Sequence, residues 1–255
     1  MKKIIFGIFI VLALAFLTTS GLAMANGIAR NPATVVPSER TVIVPDQAVD
    51  NSPQLEKKIY IHYKKGLAKP GGVGVKDKNP ACYGFLSKGT KLKSVKNLTI
   101  HSSLDALAIE KSAIEWDKYT SASLFGSYTV DSNADWDSET PDGRNEFSFG
   151  NYKQEGVIAV TVVWGYFSGP PSTRQISEFD VLFDTDYKWG NADEDPSLMD
   201  LQNIATHEIG HGIGLSDIYE SACSEVTMYG YSQNGETLKR DLAPADIKGL
   251  NELYR

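Results

Sequence analysis

His207-Glu208-Ile209-Gly210-His211-Gly212-Ile213-Gly214-Leu215-Ser216-Asp217 is the stretch that decides how this 255-residue chain is read. Positions four apart on an α-helix share a face, so both imidazoles can reach one ion. Glu208 follows His207 directly, close enough to meet a water at that ion without being a ligand. A catalytic zinc needs three protein ligands and one open position. Gly214 can take the positive φ that other residues resist, which offers a sharp exit from the helix. That turn carries Asp217 back toward the ion. On this reading His207, His211 and Asp217 hold one zinc. Glu208 is the general base, taking a proton from a water whose acidity the metal raises.

Working outward, a helix is expected from near Pro196-Ser197, where proline is tolerated in the first turn. Leu201, Ile204 and Ala205 give it one apolar stripe as far as about Gly212. A further helix follows Ala243-Pro244, with Ile247, Leu250 and Tyr254 on one face. An earlier one spans Leu104 to Tyr119, carried by Ala106, Ile109, Ala113 and Trp116, with Ser102 and Asp105 resembling a capping box. Strands are read at Lys58–Tyr63, Leu98–Ile100, Phe147–Phe149, Gly156–Trp164 and Ile176–Phe183. Strands mixed with three helices indicate an α/β or α+β domain.

Upstream the character changes. Lys2 and Lys3 precede an unbroken apolar run from Ile4 to Leu17, and Ala23-Met24-Ala25 is a small-x-small site, so residues 1–25 read as a signal peptide. An uncleaved N-terminal anchor is the alternative, although a membrane span needs about 20 apolar residues. Cleavage before Asn26 removes two lysines and no acidic residue, taking the formal charge from -7 to -9. With no basic block, that balance argues against a nucleic-acid partner. Residues 26–78 read as a linker or pro-segment with one possible strand, and the compact domain as residues 79–255, beginning near Cys82. In an exported chain Cys82 and Cys223 can pair; the alternative is that Cys82 is a metal-directed thiol of a latent precursor.

The stretch His207 to Asp217, followed by Val226-Thr227-Met228-Tyr229-Gly230, resembles the metzincin clan of zinc peptidases, whose motif ends in a methionine-bearing turn. Within it, Ile176–Trp189 and Leu242–Tyr254 are similar to segments of the matrixins. The resemblance implies an α+β, zincin-like fold with a mixed twisted sheet, an active-site helix and a C-terminal helix. It implies a secreted, monomeric metalloendopeptidase acting on polypeptide, with Met228 supporting the site from below. It further implies that Gly156–Trp164 is the antiparallel edge strand along which an extended substrate pairs. Three departures stand out. The third ligand is Asp217 where matrixins have histidine, as in snapalysin-like members. The matrixin pro-segment cysteine motif is missing. The histidines of a second zinc site are missing too, since His62 and His101 are too few and too far away, so one zinc is expected.

Calcium is a further candidate cofactor, at Asp131–Asp137, which lacks the glycine and glutamate of an EF-hand loop, or at Asp184 and Asp186. Tyr229 or Tyr231 could face an oxyanion, with packing as the alternative. Two other function classes remain open: a zinc hydrolase acting on something other than peptide, and a zinc-containing surface adhesion or binding module.

Overall fold

The structure, a computed structural model, describes residues 39–43, 54–67 and 81–255. The signal-peptide reading of residues 1–25 and most of the 26–78 segment lie outside these. Ten strands and three helices follow in the order β1 (Glu39–Ile43), β2 (Glu56–Lys64), β3 (Lys96–His101), α1 (Ala106–Asp117), β4 (Phe125–Asp131), β5 (Glu146–Gly150), β6 (Val157–Tyr166), β7 (Gln175–Asp184), β8 (Trp189–Gly190), β9 (Met199–Asp200), α2 (Leu201–Gly212), β10 (Tyr231–Ser232) and α3 (Pro244–Leu253). The main sheet runs β1-β2-β6-β7-β5-β3-β4, with β10 added beside β2. Strands β4, β3, β5 and β7 are parallel; β6 runs against β7, and β2 against β6. This is the expected α+β architecture.

Strand β6 explains much of the packing. Its run Val157-Ile158-Ala159-Val160-Thr161-Val162-Val163-Trp164 is buried throughout, as a strand with neighbours on both edges and both faces should be. The matrixin resemblance makes this the sheet's edge. Here that edge is taken instead, because β2 lies antiparallel along it from Glu56 opposite Gly165 to Tyr63 opposite Val157. Upstream of residue 79, the one possible strand expected in the linker or pro-segment is thus β2, which joins the sheet with β1 beyond it.

On one face of the sheet, α1 and α2 pack together over Phe147, Ile158, Phe179 and Phe183. Trp116 anchors α1, with its ring fully buried and its Nε1–H donated to Thr206 O at 2.8 Å. Two helix starts differ from the sequence reading. Asp105, not Ser102, caps α1 by accepting from Leu107 N at 3.0 Å. Helix α2 begins at Leu201, because Met199-Asp200 first pairs with Trp189-Gly190 and Asp200 Oδ1 then accepts from Asn203 N at 2.8 Å. Strands β1 and β4 and the two-residue strands β8, β9 and β10 carry too little alternation to stand out in the sequence. Among the described residues no helix is long and apolar enough to cross a membrane.

Cys82 and Cys223 are joined, with Cα atoms 5.3 Å apart, closing 141 residues of chain. Cys82 is thereby unavailable as a metal-directed thiol. Closing so long a loop restricts the unfolded chain, so replacing both cysteines by serine should cost about 2–5 kcal/mol of stability. Urea denaturation of the double variant is the check, and an unchanged midpoint would contradict it.

Candidate metal centre

Helix α2 sets the first two donors. Its start is fixed by Asp200, which also accepts from Ala192 N at 2.8 Å and pairs with Arg240. One turn apart, His207 and His211 project from the same side, and both are buried. Each ring is oriented through Nδ1, which faces a backbone carbonyl and so must carry the hydrogen: His207 donates to Thr227 O at 2.7 Å and His211 to Leu215 O at 3.0 Å.

Gly214 ends the helix as its type suggests, at φ +111°, and Leu215 N returns to Gly210 O at 2.9 Å. A Cβ at Gly214 would fall 2.5 Å from Thr90 O, so the close approach also excludes other residues. The turn brings Asp217 Oδ1 to 3.1 Å from His207 Nε2 and 3.4 Å from His211 Nε2.

The two Nε2 atoms are themselves 3.2 Å apart. With both Nδ1 atoms protonated, each Nε2 presents a lone pair, and Asp217 Oδ1 is buried without a hydrogen-bond donor. Three acceptors facing one another in a buried space are repulsive unless a cation stands between them. The donor set, two imidazole nitrogens and one carboxylate oxygen, is one that zinc accepts. Asp217 is held well below the usual carboxylate range: burial alone would raise it, but His211 and His207 beside it more than offset that. Its Oδ2 accepts from Tyr219 OH at 3.0 Å.

Beneath the donors lies Met228, fully buried, its sulfur against Gly210, where a Cβ would collide with it. The methionine turn is held by Asp246, which accepts from Thr227 N at 2.8 Å and Met228 N at 3.2 Å. Because Thr227 O receives the His207 ring, this carboxylate indirectly orients a candidate ligand.

Glu208 is completely buried, and its pKa is raised by burial, against the pull of His207 and His211. Thr161 Oγ1, the one polar side chain in the apolar run of β6, donates to its Oε2 at 2.6 Å. Its Oε1 lies 2.9 Å from Nδ1 of His62. The sequence reading sets His62 aside as too far away. The structure brings it into the site from β2, with its ring centroid 3.9 Å from that of His207. Burial holds His62 neutral, lowered to about 3. Tyr60, two residues earlier, stacks on His211 at 4.0 Å. His62, Thr161 and Tyr219 carry no local signal, since nothing in their own neighbourhoods points to partners 146 residues off, 47 residues off or across a turn. The tyrosine candidates Tyr229 and Tyr231 pack edge to face with each other, and a tyrosine the sequence reading does not single out, Tyr219, reaches Asp217.

The calcium candidates separate. Asp131 pairs with Arg144 at 2.8 Å. Both oxygens of Asp184 accept backbone N–H groups, from Asp186 and Tyr152. Asp135 and Asp137 instead converge with Glu146, and Asp137 also with Asp142 and Glu178, each trio having oxygens within 4.8 Å of one another. Burial raises Glu146 and Glu178 to about 7 and neighbouring Asp180 to about 9, aided for Asp180 by Glu178.

Two predictions follow from these protonation states. Burial would lower His211, but Asp217 beside it outweighs that and raises it above the ordinary imidazole range, so in the metal-free protein a proton occupies the donor set wherever a free imidazole would be charged. Zinc must displace it, and affinity should weaken by on the order of tenfold per pH unit there. Competition titrations from pH 8 to pH 5 test this; a flat profile would count against the donor set. Glu146, Glu178 and Asp180 are raised in the fold, so the stability they contribute is fully present below about 4 and lost as the pH rises through about 7 and about 9. Without divalent cations the melting temperature should drop between pH 5 and pH 9, and Asp180→Asn should lessen that drop.

The matrixin family model matches residues 153–255. Over 76 residues the chain is 37% identical to stromelysin-1 of Mus musculus, a stretch that makes up 29% of this chain and 15% of that protein. Only a small part of that relative is thus spanned. The match covers α2, the Gly214 turn, the methionine turn and α3, and begins downstream of β2. Residues 153–255, carrying His207, Glu208, His211, Asp217 and Met228, are matrixin-like.

Proposed function

We propose that this chain is an exported zinc metalloendopeptidase in which His207, His211 and Asp217 hold the metal and Glu208 is the general base. The observation that carries the reading is the meeting of three acceptor atoms, His207 Nε2, His211 Nε2 and Asp217 Oδ1, beside a buried carboxylate. The matrixin-like character of residues 153–255 supports zinc as the ion and a peptide bond as the target. Zinc, when bound, supplies Lewis acidity toward a carbonyl and a water.

The chain's own residues do the rest. Glu208 takes the proton of the attacking water and returns it to the departing amine; a raised pKa suits a group that must hold that proton in between. Thr161 fixes the carboxylate by donating to its Oε2. The main chain of β6 offers an extended polypeptide a ladder of backbone hydrogen bonds, once that edge is free. The carboxylates around Glu146 and Glu178 are a candidate site for calcium, whose ligands are oxygens. Export rests on the apolar run after Lys2 and Lys3, and N-terminal sequencing of protein recovered from the medium should begin at Asn26.

Metal analysis of the full chain should find one zinc at this centre, absent in His211→Ala and weakened at least tenfold in Asp217→Ala. Glu208→Gln should keep the zinc and, once the β6 edge is free, lower hydrolysis of a quenched peptide library by about 10²–10⁴-fold relative to the protein with Glu208 in the same state. A Glu208→Gln variant with undiminished turnover would remove Glu208 from the mechanism. Unchanged zinc affinity in Asp217→Ala would remove Asp217 from the ligands.

A further inference from the structure

We infer that β2 is a built-in occupant of the substrate groove and that His62 closes the metal centre, so that the chain as described is a latent form; this rests on the peptidase reading above. Strand β2 lies antiparallel to β6 and parallel to β10, which is to say that it fills the space between them. Both of its edges are engaged at its end: Lys64 N donates to Gly156 O at 2.7 Å and Lys65 N to Ser232 O at 2.8 Å. An extended polypeptide pairing with β6 needs the same backbone groups, and the two cannot share them.

The side chains complete the block. Tyr60 covers His211, and His62 stands against His207 and Glu208. With β2 in place His207 and Glu208 are 0% exposed and His211 is 1% exposed, so no polypeptide reaches the base. His62 Nδ1 faces Glu208, while its Nε2 is buried without a partner. A neutral imidazole that gives its Nδ1 hydrogen to a carboxylate leaves Nε2 as a lone pair, the form that ligates zinc. His62 groups with His207 and Glu208, their ligand atoms within 4.8 Å of one another, and so adjoins the His207–His211–Asp217 trio through the shared His207. A fourth protein ligand gives a closed coordination sphere, as in structural zinc sites, where catalysis requires an open position.

The fold lets this strand leave. The sheet partner of β1 is β2, so the two can depart together. Ile61 and Tyr63 pack with Val157 and Val160 in a small cluster apart from the main core, which Tyr60 alone of the buried β2 side chains joins. The Cys82–Cys223 bond lies downstream of β2 and ties residues that stay behind. Withdrawal of β2 would leave β6 as a free edge facing β10, with the metal open between them.

The experiment compares the full-length zinc-loaded protein with Ile61→Pro, which breaks the ladder, and His62→Gln, which removes the ligand but keeps a donor toward Glu208. Binding of a peptide hydroxamate is measured by calorimetry, and the absorption spectrum after cobalt substitution reports the coordination sphere. Both variants should bind the hydroxamate at least tenfold more tightly than wild type, and His62→Gln should shift the cobalt bands. Equal hydroxamate binding in all three proteins, with cobalt spectra that coincide, overturns the inference. Should Ile61→Pro fail to fold, the cobalt spectrum of His62→Gln still decides. Variants that gain hydroxamate binding yet cleave no peptide would support the strand's role and overturn the peptidase reading. A wild-type chain that cleaves peptides as fast as the variants would do the reverse.

Discussion

Three potential acceptor atoms meet at the C-terminal end of α2, mutually repulsive unless a cation, metal or proton, stands among them, and this is the constraint around which the rest is arranged. It is imposed from outside the trio. The two Nδ1 hydrogens are committed to Thr227 O and Leu215 O, so the Nε2 lone pairs have only one direction in which to point. Thr227 is in turn held by Asp246 at the head of α3, and Leu215 by the turn at Gly214. A fold keeps such an arrangement only if something repays the cost of gathering unpaired acceptors in a buried space, and a cation does so. Cooperation of α2, the Gly214 turn, the methionine turn and α3 is thus one device, spread over residues 200 to 253.

How much of this was legible in the sequence depends on how local the signal was. The imidazoles of His207 and His211 share a face because helical spacing demands it, and Gly214 is needed where φ is positive, so both could be read directly. So could the apolar periodicity of α1 and α3. Asp217 and Met228 required the turn and the matrixin resemblance, and the structure brings both to the centre. What the sequence hides is pairing between distant segments. His62 joins Glu208 across 146 positions, through a strand register that no local period encodes. Thr161 looks like a flaw in an apolar run until Glu208 is placed opposite it. Tyr219 is near in sequence but reaches Asp217 only after the chain has turned.

The helix starts make the same point on a smaller scale. Pro196 is acceptable in a first turn, yet α2 waits for Asp200, whose carboxylate caps the helix and binds Arg240. A permissive residue marks where a helix can begin; the residue that satisfies the free N–H groups marks where it does.

Strand β6 carries the sharpest difference between resemblance and structure. A largely apolar strand is a poor edge, since exposed backbone groups beside apolar side chains invite pairing with any extended chain. A peptidase that binds substrate as an added strand must nevertheless keep such an edge. The two demands are reconciled if the chain supplies its own strand until substrate binding is wanted. Here that strand is β2, and it carries an aromatic and an imidazole onto the very rings that would bind the metal. Protecting the edge and closing the metal centre are then one act, because both depend on the single register that sets His62 opposite Ala159.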